Sequence, residues 1–405
     1  MCIRDSINLL AKEEIVYEEA LDQIREKVIK PQIKSMSTIS ILEAADKLNL
    51  EITSFFIDPE NNQSEKLSKI FHRYYTIGSG KHSGVTVSIA STKDSVVGFK
   101  TQRDKFMTNT LIERLNIPIA KWNLIESKED LKKIFKNYKK PVVIKPVGLV
   151  GGHGVVTNIN TIDQAYEAYD FATEAINAQV RQSWQKKIMI QEQVKSIEGE
   201  DYRILVIDGE MMIATKRIPA YIIGDGKSTI RELIEEINKD PRRDTGDPSH
   251  TLKSIKFDKM LDIYLTEQGM DLKYIPKKDE KIYVRKTSSM SQGGITEDVT
   301  DRVHPHIKNV VESIGGSIHT FGLGVDVICK DISKPLTPDN GSIIEINSMP
   351  ESYLNTYPVI GNSYPEFGVK YLKKLIGEER TPHYVIINDK EKLKICLLYT
   401  SPSPR

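Results

Sequence analysis

Pro141-Val142-Val143-Ile144-Lys145-Pro146, then Gly148-Leu149-Val150-Gly151-Gly152-His153-Gly154, then Val155-Val156-Thr157 is the stretch whose reading decides the fold class. β-Branched residues dominate both flanks, so each flank reads as a short strand. Between them stand four glycines in seven residues. Glycine lets a loop bring its N–H groups against phosphate oxygens with no Cβ in the way. A flexible hairpin without a ligand would use the same residues, so the loop alone leaves both readings open. Lys145 favours phosphate, because a cation on a rigid strand beside a glycine cradle supplies the charge that a polyphosphate needs neutralised. The loop joins two strands. It is therefore neither a Rossmann turn nor a P-loop, each of which opens a helix.

Outward from this point the chain alternates helices and strands. Downstream, Thr161 can cap a long helix reaching about Trp184, followed by a strand Lys187–Gln191 that leads into Glu192-Gln193-Val194. Arg203–Ile207 and Glu210–Lys216 flank Asp208-Gly209, a strong hairpin signal. Two further strands are expected at Gly324–Cys329 and Gly341–Asn347, and helices at 229–238, 305–321 and 363–376. Upstream, the spacing predicts a helix over Thr101–Leu115 that stops before Pro118, a strand over Val85–Ile89, and a helix Thr38–Leu48 followed by a strand Glu51–Ile57.

The second informative constellation is acidic. Asp326, Glu345 and Asn347 stand inside otherwise apolar strands, and Glu345 and Asn347, two apart, project from one face. Carboxylates on a hydrophobic sheet are costly unless they hold a cation, and Asp, Glu and Asn oxygens together suit Mg²⁺ shared with phosphates. A solvated strand edge is the competing reading. Among the cations on or beside strands (Arg203, Lys216, Arg217, Arg285 and Lys286), Arg217 and Arg285 are the expected site residues. Arginine's fork matches carboxylate and phosphoryl oxygens.

Several alternatives fall away. Gly224-Asp225-Gly226-Lys227-Ser228-Thr229 imitates a Walker A loop, but Tyr221 occupies the place of its first glycine, and Thr229–Glu232 reads as a capping box. His304-Pro305-His306 has no further ligand nearby and reads as the start of a helix. Lys plus Arg (57) nearly balances Asp plus Glu (56), and aromatics are only 7%, so nothing points to nucleic acid or to a membrane surface. Hydrophobic residues at 39% describe an ordinary globular protein, and 405 residues suit two or three folding units. The three cysteines form no CxxC pair, which points to a reducing cytoplasm. Residues 1–6 and 396–405 read as translated sequencing-adapter sequence, against the alternative of genuine disordered termini, and are set aside from fold reasoning.

Together these residues resemble the ATP-grasp superfamily, in the branch that holds cyanophycin synthetase and the glutathione synthetase half of the bifunctional bacterial enzyme. The similarity runs from about Gly78 to Leu375. It is carried by Asp104-Lys105, Val143-Ile144-Lys145-Pro146, His153-Gly154-Val155, Gly199-Glu200-Asp201-Tyr202-Arg203, the segments 224–234 and 238–243, Gln292-Gly293-Gly294 through Asp301, and Glu345-Ile346-Asn347. The resemblance implies an α/β (α+β) fold of three lobes with ATP clamped between two antiparallel sheets. It implies an N-terminal lobe at 7–90, an ATP-grasp domain at 91–378 with a lid at about 140–190, and an unassigned stretch at 379–395. Lys105 and Lys145 would contact ATP phosphates, covered by the loop that includes Gly148, Gly151, Gly152, His153 and Gly154. Glu192, Gln193 and Val194 would hold adenine, and Asp201 would reach the ribose. Asp326, Glu345 and Asn347 would carry Mg²⁺, as two ions, with Mn²⁺ as a substitute. Arg217 and Arg285 would stabilise the transferred acyl-phosphate.

The activity so implied is ATP-dependent joining of a carboxylate to an amine, releasing ADP and phosphate. The expected partners are these two small-molecule or peptide substrates and, for the chain itself, further copies. Two departures, Ser289-Met290-Ser291-Gln292 and Pro350-Glu351, lie where the family approaches its acceptor, so the acceptor is expected to differ from both aspartate–arginine polymer and glutamyl-cysteine. Two rivals stay open: thiol ligation through the same intermediate, and a nucleotide-binding regulatory module without turnover. No CoA-binding domain is visible for the first, and the complete Asp326, Glu345 and Asn347 set argues against the second.

Overall fold

The computed structural model describes residues 36–54, 74–149, 153–179, 186–193, 200–243, 252–377, 384–389 and 392–397. Among the described residues the first elements are α1 (Met36–Lys47) and then β1 (Ile52–Ser54), β2 (Tyr74–Ser79), β3 (His82–Val87) and β4 (Ala90–Ser91), the four strands forming an antiparallel sheet in that order. The strand expected over Val85–Ile89 lies earlier because Ser88 turns at φ 55°, ending the ladder. The helix expected over Thr101–Leu115 is two: α2 (Val96–Gln102) and α3 (Lys105–Arg114). Asp104 divides them. Its carboxylate accepts the Phe106 and Met107 N–H groups at 2.9 and 3.0 Å, and an N-cap of that kind starts a helix rather than continuing one.

The next elements build a lobe of their own. They are β5 (Trp122–Ile125), α4 (Lys128–Phe135), β6 (Val142–Pro146), β7 (Val156–Ile159), α5 (Ile162–Gln179) and β8 (Ile188–Glu192). The sheet order is β5-β8-β6-β7, so this sheet also recruits residues well before 140. Val142, Ile144, Ile188 and Ile190 face Ala165, Ala168, Ala172 and Ile176 of α5, whose small side chains bring the helix close. Strand alternation then sends Val143, Lys145, Met189 and Gln191 to the other face.

The central sheet is formed by β9 (Glu200–Ile207), β10 (Glu210–Ile218) and three later strands. The β9–β10 turn has Asp208 at φ 52° and Gly209 at φ 75°, the doubly left-handed conformation for which Asp-Gly is suited. Between β10 and the next sheet strand the chain inserts β11 (Tyr221–Ile223), α6 (Ile230–Asn238), α7 (Lys259–Glu267) and β12 (Lys281–Tyr283), which share a small separate core. Thr229 and Glu232 form the capping box of α6, and Asp225 accepts the Lys227 and Ser228 N–H groups in a tight turn. No phosphate loop is present there.

β13 (Ile295–Asp298), α8 (Pro305–Ile318), β14 (Gly322–Cys329) and β15 (Gly341–Ser348) complete the sheet, in the order β13-β10-β9-β14-β15. α8 lays Ile307, Val311 and Ile314 on Ile204, Val206, Val325 and Val327; each such fully buried aliphatic contributes about 1.5–3 kcal/mol. His304 caps α8 through Nδ1, as its sequence position suggested. The chain continues through α9 (Tyr353–Thr356) and α10 (Phe367–Ile376), and α10 packs against α1. Last come β16 (Tyr384–Asp389) and β17 (Lys392–Leu397), a hairpin that includes Cys396 and Leu397 and so runs past the tail boundary expected at 396. No helix among the described residues is long and apolar enough to cross a membrane.

Candidate active site

The register of the central sheet gathers the site. Arg217 of β10 is opposite Asp201 of β9, Arg203 of β9 is opposite Asp326 of β14, and Asp326 is opposite Glu345 of β15. Directly opposed residues share a face, so five polar side chains from four strands meet. The same face carries Leu205 and Ile207 farther along β9, and there it is covered by Ile41, Phe321, Phe367 and Tyr371. One face of one sheet thus has an apolar end closed by packing and a polar end left for chemistry.

Within the polar end the charges alternate. Arg203 grips Asp326 with two donors, Nε to Oδ1 and Nη2 to Oδ2, the latter at 3.1 Å. Arg217 gives Nε and Nη2 to Asp201 Oδ1 at 3.0 and 2.6 Å, and lies 3.4 Å from Asp326 Oδ2. Asn347 donates to the same Asp326 oxygen at 3.2 Å, and the Ser288 hydroxyl donates to Asp201 Oδ2 at 2.5 Å. Burial opposes the Arg217 charge, but Asp326 and Asp201 outweigh it and raise its pKa above the usual range. Pairing of this kind offsets the cost of burying these charges. Gly324 makes room for the arrangement, because a Cβ there would meet Pro350 at 2.7 Å and Arg203 Nη1 at 3.1 Å.

The lid and α3 supply the facing cations. Lys145 projects from β6 on the face opposite the α5 core, and its side chain is 8% exposed. Among the described residues its ammonium makes no hydrogen bond or ion pair. Burial lowers its pKa to about 8; Glu345 opposes the shift and Lys105 adds to it. Lys105, the first residue of α3, donates to the Leu149 carbonyl at 2.7 Å and lies 3.3 Å from Glu345 Oε1, so it ties the glycine loop to the central sheet. Trp122 stands edge-to-face with Phe106, ring centres 5.7 Å apart, and its buried Nε1 has no partner among the described residues.

The remaining expected residues have the following surroundings in the protein. Gly151, Gly152 and Val194 lie outside the described residues. His153 is exposed, and Gly154 (φ +71°) is required by packing, since a Cβ would come within 2.7 Å of Pro146 and 2.9 Å of Ala175. The Glu192 carboxylate accepts the Lys139 N–H at 3.1 Å. Gln193 spends its N–H on Pro141 and its side chain on Asn158. Asp201, expected at the ribose, is taken by Arg217 and Ser288. Arg285 is 3% exposed, and its Nη2 donates to the Lys256 carbonyl and to Asp258, while its buried Nε and Nη1 have no partner among the described residues; it follows β12 in the insertion and is not on the central sheet. Arg203 and Ser288 were not among the expected site residues. Arg203 carried one usable signal, its place two residues after Asp201 on the same face.

The donor set fits a hard divalent cation. Two carboxylates and a carboxamide from adjacent strands supply oxygens in the number that leaves room for water and phosphate ligands. Asp326 would share its oxygens between such an ion and the two arginines.

Residues 109–232 match the family model described as prokaryotic glutathione synthetase, ATP-grasp domain. A cyanophycin synthetase from Synechocystis is 33% identical over 286 residues, covering 70% of this chain and 32% of that protein. The glutathione biosynthesis bifunctional protein of Clostridium perfringens is 33% identical over 274 residues, covering 67% of this chain and 34% of that protein. The chain therefore spans about a third of the length of the curated relatives it matches. Among solved structures, a bifunctional glutathione synthetase from Pasteurella multocida superposes with a TM-score of 0.65 at 22% identity, over 89% of this chain and 46% of that one, which gives the fold.

Proposed function

We propose that this chain, an ATP-grasp protein by fold and by sequence, is an ATP-dependent carboxylate–amine ligase that releases ADP and phosphate. The observation that carries the reading is the convergence of Lys145, Lys105 and Glu345 from three separate elements. A buried ammonium whose pKa burial lowers to about 8, only partly offset by Glu345 and with no hydrogen bond or ion pair among the described residues, is a site prepared for an anion that arrives.

In this reading Lys145 and Lys105 bind the terminal phosphates, and Lys105 exchanges its Leu149 and Glu345 contacts for phosphate oxygens. The apolar face around Trp122, Met189 and Gln191 receives the base. Asp326, Glu345 and the Asn347 amide oxygen would hold Mg²⁺, as two ions, with Mn²⁺ as a substitute. The metal would supply charge neutralisation on the transferring phosphoryl group. Arg217, kept charged by Asp201 and Asp326, presents a guanidinium toward charge that develops on the acyl-phosphate. Closure of the lid sheet over the central sheet excludes the water that would hydrolyse it. The substrates are a carboxylic acid and an amine, and the compartment is the cytoplasm, consistent with the buried free thiol of Cys329.

The test is product analysis with a panel of acid and amine pairs. ADP and inorganic phosphate are expected, with hydroxylamine trapping a hydroxamate when the amine is omitted. AMP and pyrophosphate from a pair that is demonstrably joined would overturn the mechanism.

A further inference from the structure

The segment that leaves the insertion toward β13 carries Thr287, Ser288, Ser289, Met290, Ser291 and Gln292. One of its hydroxyls reaches the site. Ser288 Oγ donates to Asp201 Oδ2 at 2.5 Å, while Asp201 Oδ1 receives both Nε and Nη2 of Arg217. Arg217 in turn stands 3.4 Å from Asp326 Oδ2, and Asp326 is gripped from its other side by Arg203. Ser288, Asp201, Arg217 and Asp326 form one line from the insertion's exit to the candidate metal carboxylate, with Arg203 beyond it.

Geometry makes the first link decisive. A carboxylate with one oxygen on a guanidinium and the other on a hydroxyl cannot swing about its Cβ–Cγ bond without losing one contact. Two donors of Arg217 converge on Asp201 Oδ1, so the guanidinium follows the position of that oxygen. We propose that Ser288 is a positioning residue for Arg217, acting through Asp201, and that the 287–292 segment sets how the guanidinium leans toward Asp326. A substrate group that competes for the Ser288 hydroxyl would free Asp201 and, with it, Arg217. Occupancy beside the 287–292 segment is thereby communicated to the phosphoryl side. The kinetic consequence rests on the ligase reading; the geometric one does not.

The experiment uses the full chain, labelled with ¹⁵N, and follows the arginine Nε–H resonance that disappears in Arg217→Lys. The wild type should show it protected from exchange. Ser288→Ala should speed its exchange about tenfold, and Ser288→Thr, which keeps the hydroxyl, should restore protection. Ser288 is half-buried and outside the cores, so the midpoint of thermal unfolding should stay at the wild-type value. With a turned-over substrate pair, Ser288→Ala should lower kcat about tenfold while KM for ATP stays within about twofold. An Nε–H unchanged in Ser288→Ala, or loosened equally in Ser288→Thr, overturns the proposal whether or not turnover is found. An Nε–H that responds as stated, in a chain without ligase turnover, upholds the positioning and removes the ligase reading alone.

Discussion

Nucleotide binding should draw a proton out of solution, and Lys145 is the reason. Burial holds its pKa at about 8, against 10.5 for an ordinary lysine. Keeping the charged form in that environment costs about 3 kcal/mol, from 1.36 kcal/mol for each tenfold step between the two values. A polyphosphate beside the amine removes that cost and returns the pKa toward its ordinary range. At pH 8 the free amine is about half protonated and the bound amine fully so, which gives an uptake of about 0.5 proton that fades to almost none at pH 6.5. The sign for stability is fixed by the same depression. Between pH 8 and 10.5 the unfolded chain holds more protons than the folded one, so the fold gains stability as pH rises through that window, and below it the full penalty is present. The assay is titration calorimetry with ADP and a chelator, at pH 8, in two buffers of different ionisation enthalpy. Lys145→Met keeps an apolar stem, so it should fold at least as stably, abolish the proton uptake and weaken binding by about 1.5–3 kcal/mol. No uptake in the wild type at pH 8, or equal affinity in the variant, would refute the reasoning.

Glu345→Gln should fold normally and bind nucleotide, yet lose magnesium-dependent turnover, because a carboxylate 3.3 Å from Lys105 becomes a neutral amide with one ligand oxygen. Steady-state rates across a magnesium series check this, and near-normal activity at ordinary magnesium would remove Glu345 from the ligand set. Gly154→Ala should destabilise the lid by about 2–4 kcal/mol, the sum of left-handed strain and a Cβ forced against Pro146 and Ala175. Denaturant unfolding reads it, and a wild-type midpoint would show that the loop has room.

The local part of the design was legible because it is written in contiguous residues. Asp208-Gly209 could only be a turn, Thr229–Glu232 a cap, and Val142–Pro146 a strand with one polar face. The glycines of 148–154 were legible as a loop, but composition cannot distinguish a phosphate cradle from a close approach of chains; for Gly154 the close approach is what the packing requires. The helix over 101–115 was misread because its apolar spacing continues across Asp104, where a side-chain cap outweighs periodicity. The pairing of Arg203 with Asp326 joins residues 123 positions apart, and Lys105 meets Glu345 only through the docking of α3 beside β15. Such partners are set by sheet register and lobe placement. For the same reason the contacts of Asp201 with Arg217 and Ser288, and of Arg285 with Lys256 and Asp258, are not readable from the sequence.

The insertion between β10 and β13 has a consequence for how this scaffold can change. Ile218 pairs with Ile295, so the strands that bracket the insertion are already neighbours, and all 219–294 is an excursion that departs from and returns to one sheet edge. Its core is closed on itself. Changes confined to the excursion therefore leave in place the strands that carry Lys145, Asp326 and Glu345, the residues proposed to bind phosphate and metal. Its last residues nonetheless end against Asp201. Under the proposed ligase function, acceptor selectivity and phosphoryl transfer would thus be separable tasks, with Ser288 at the joint between them.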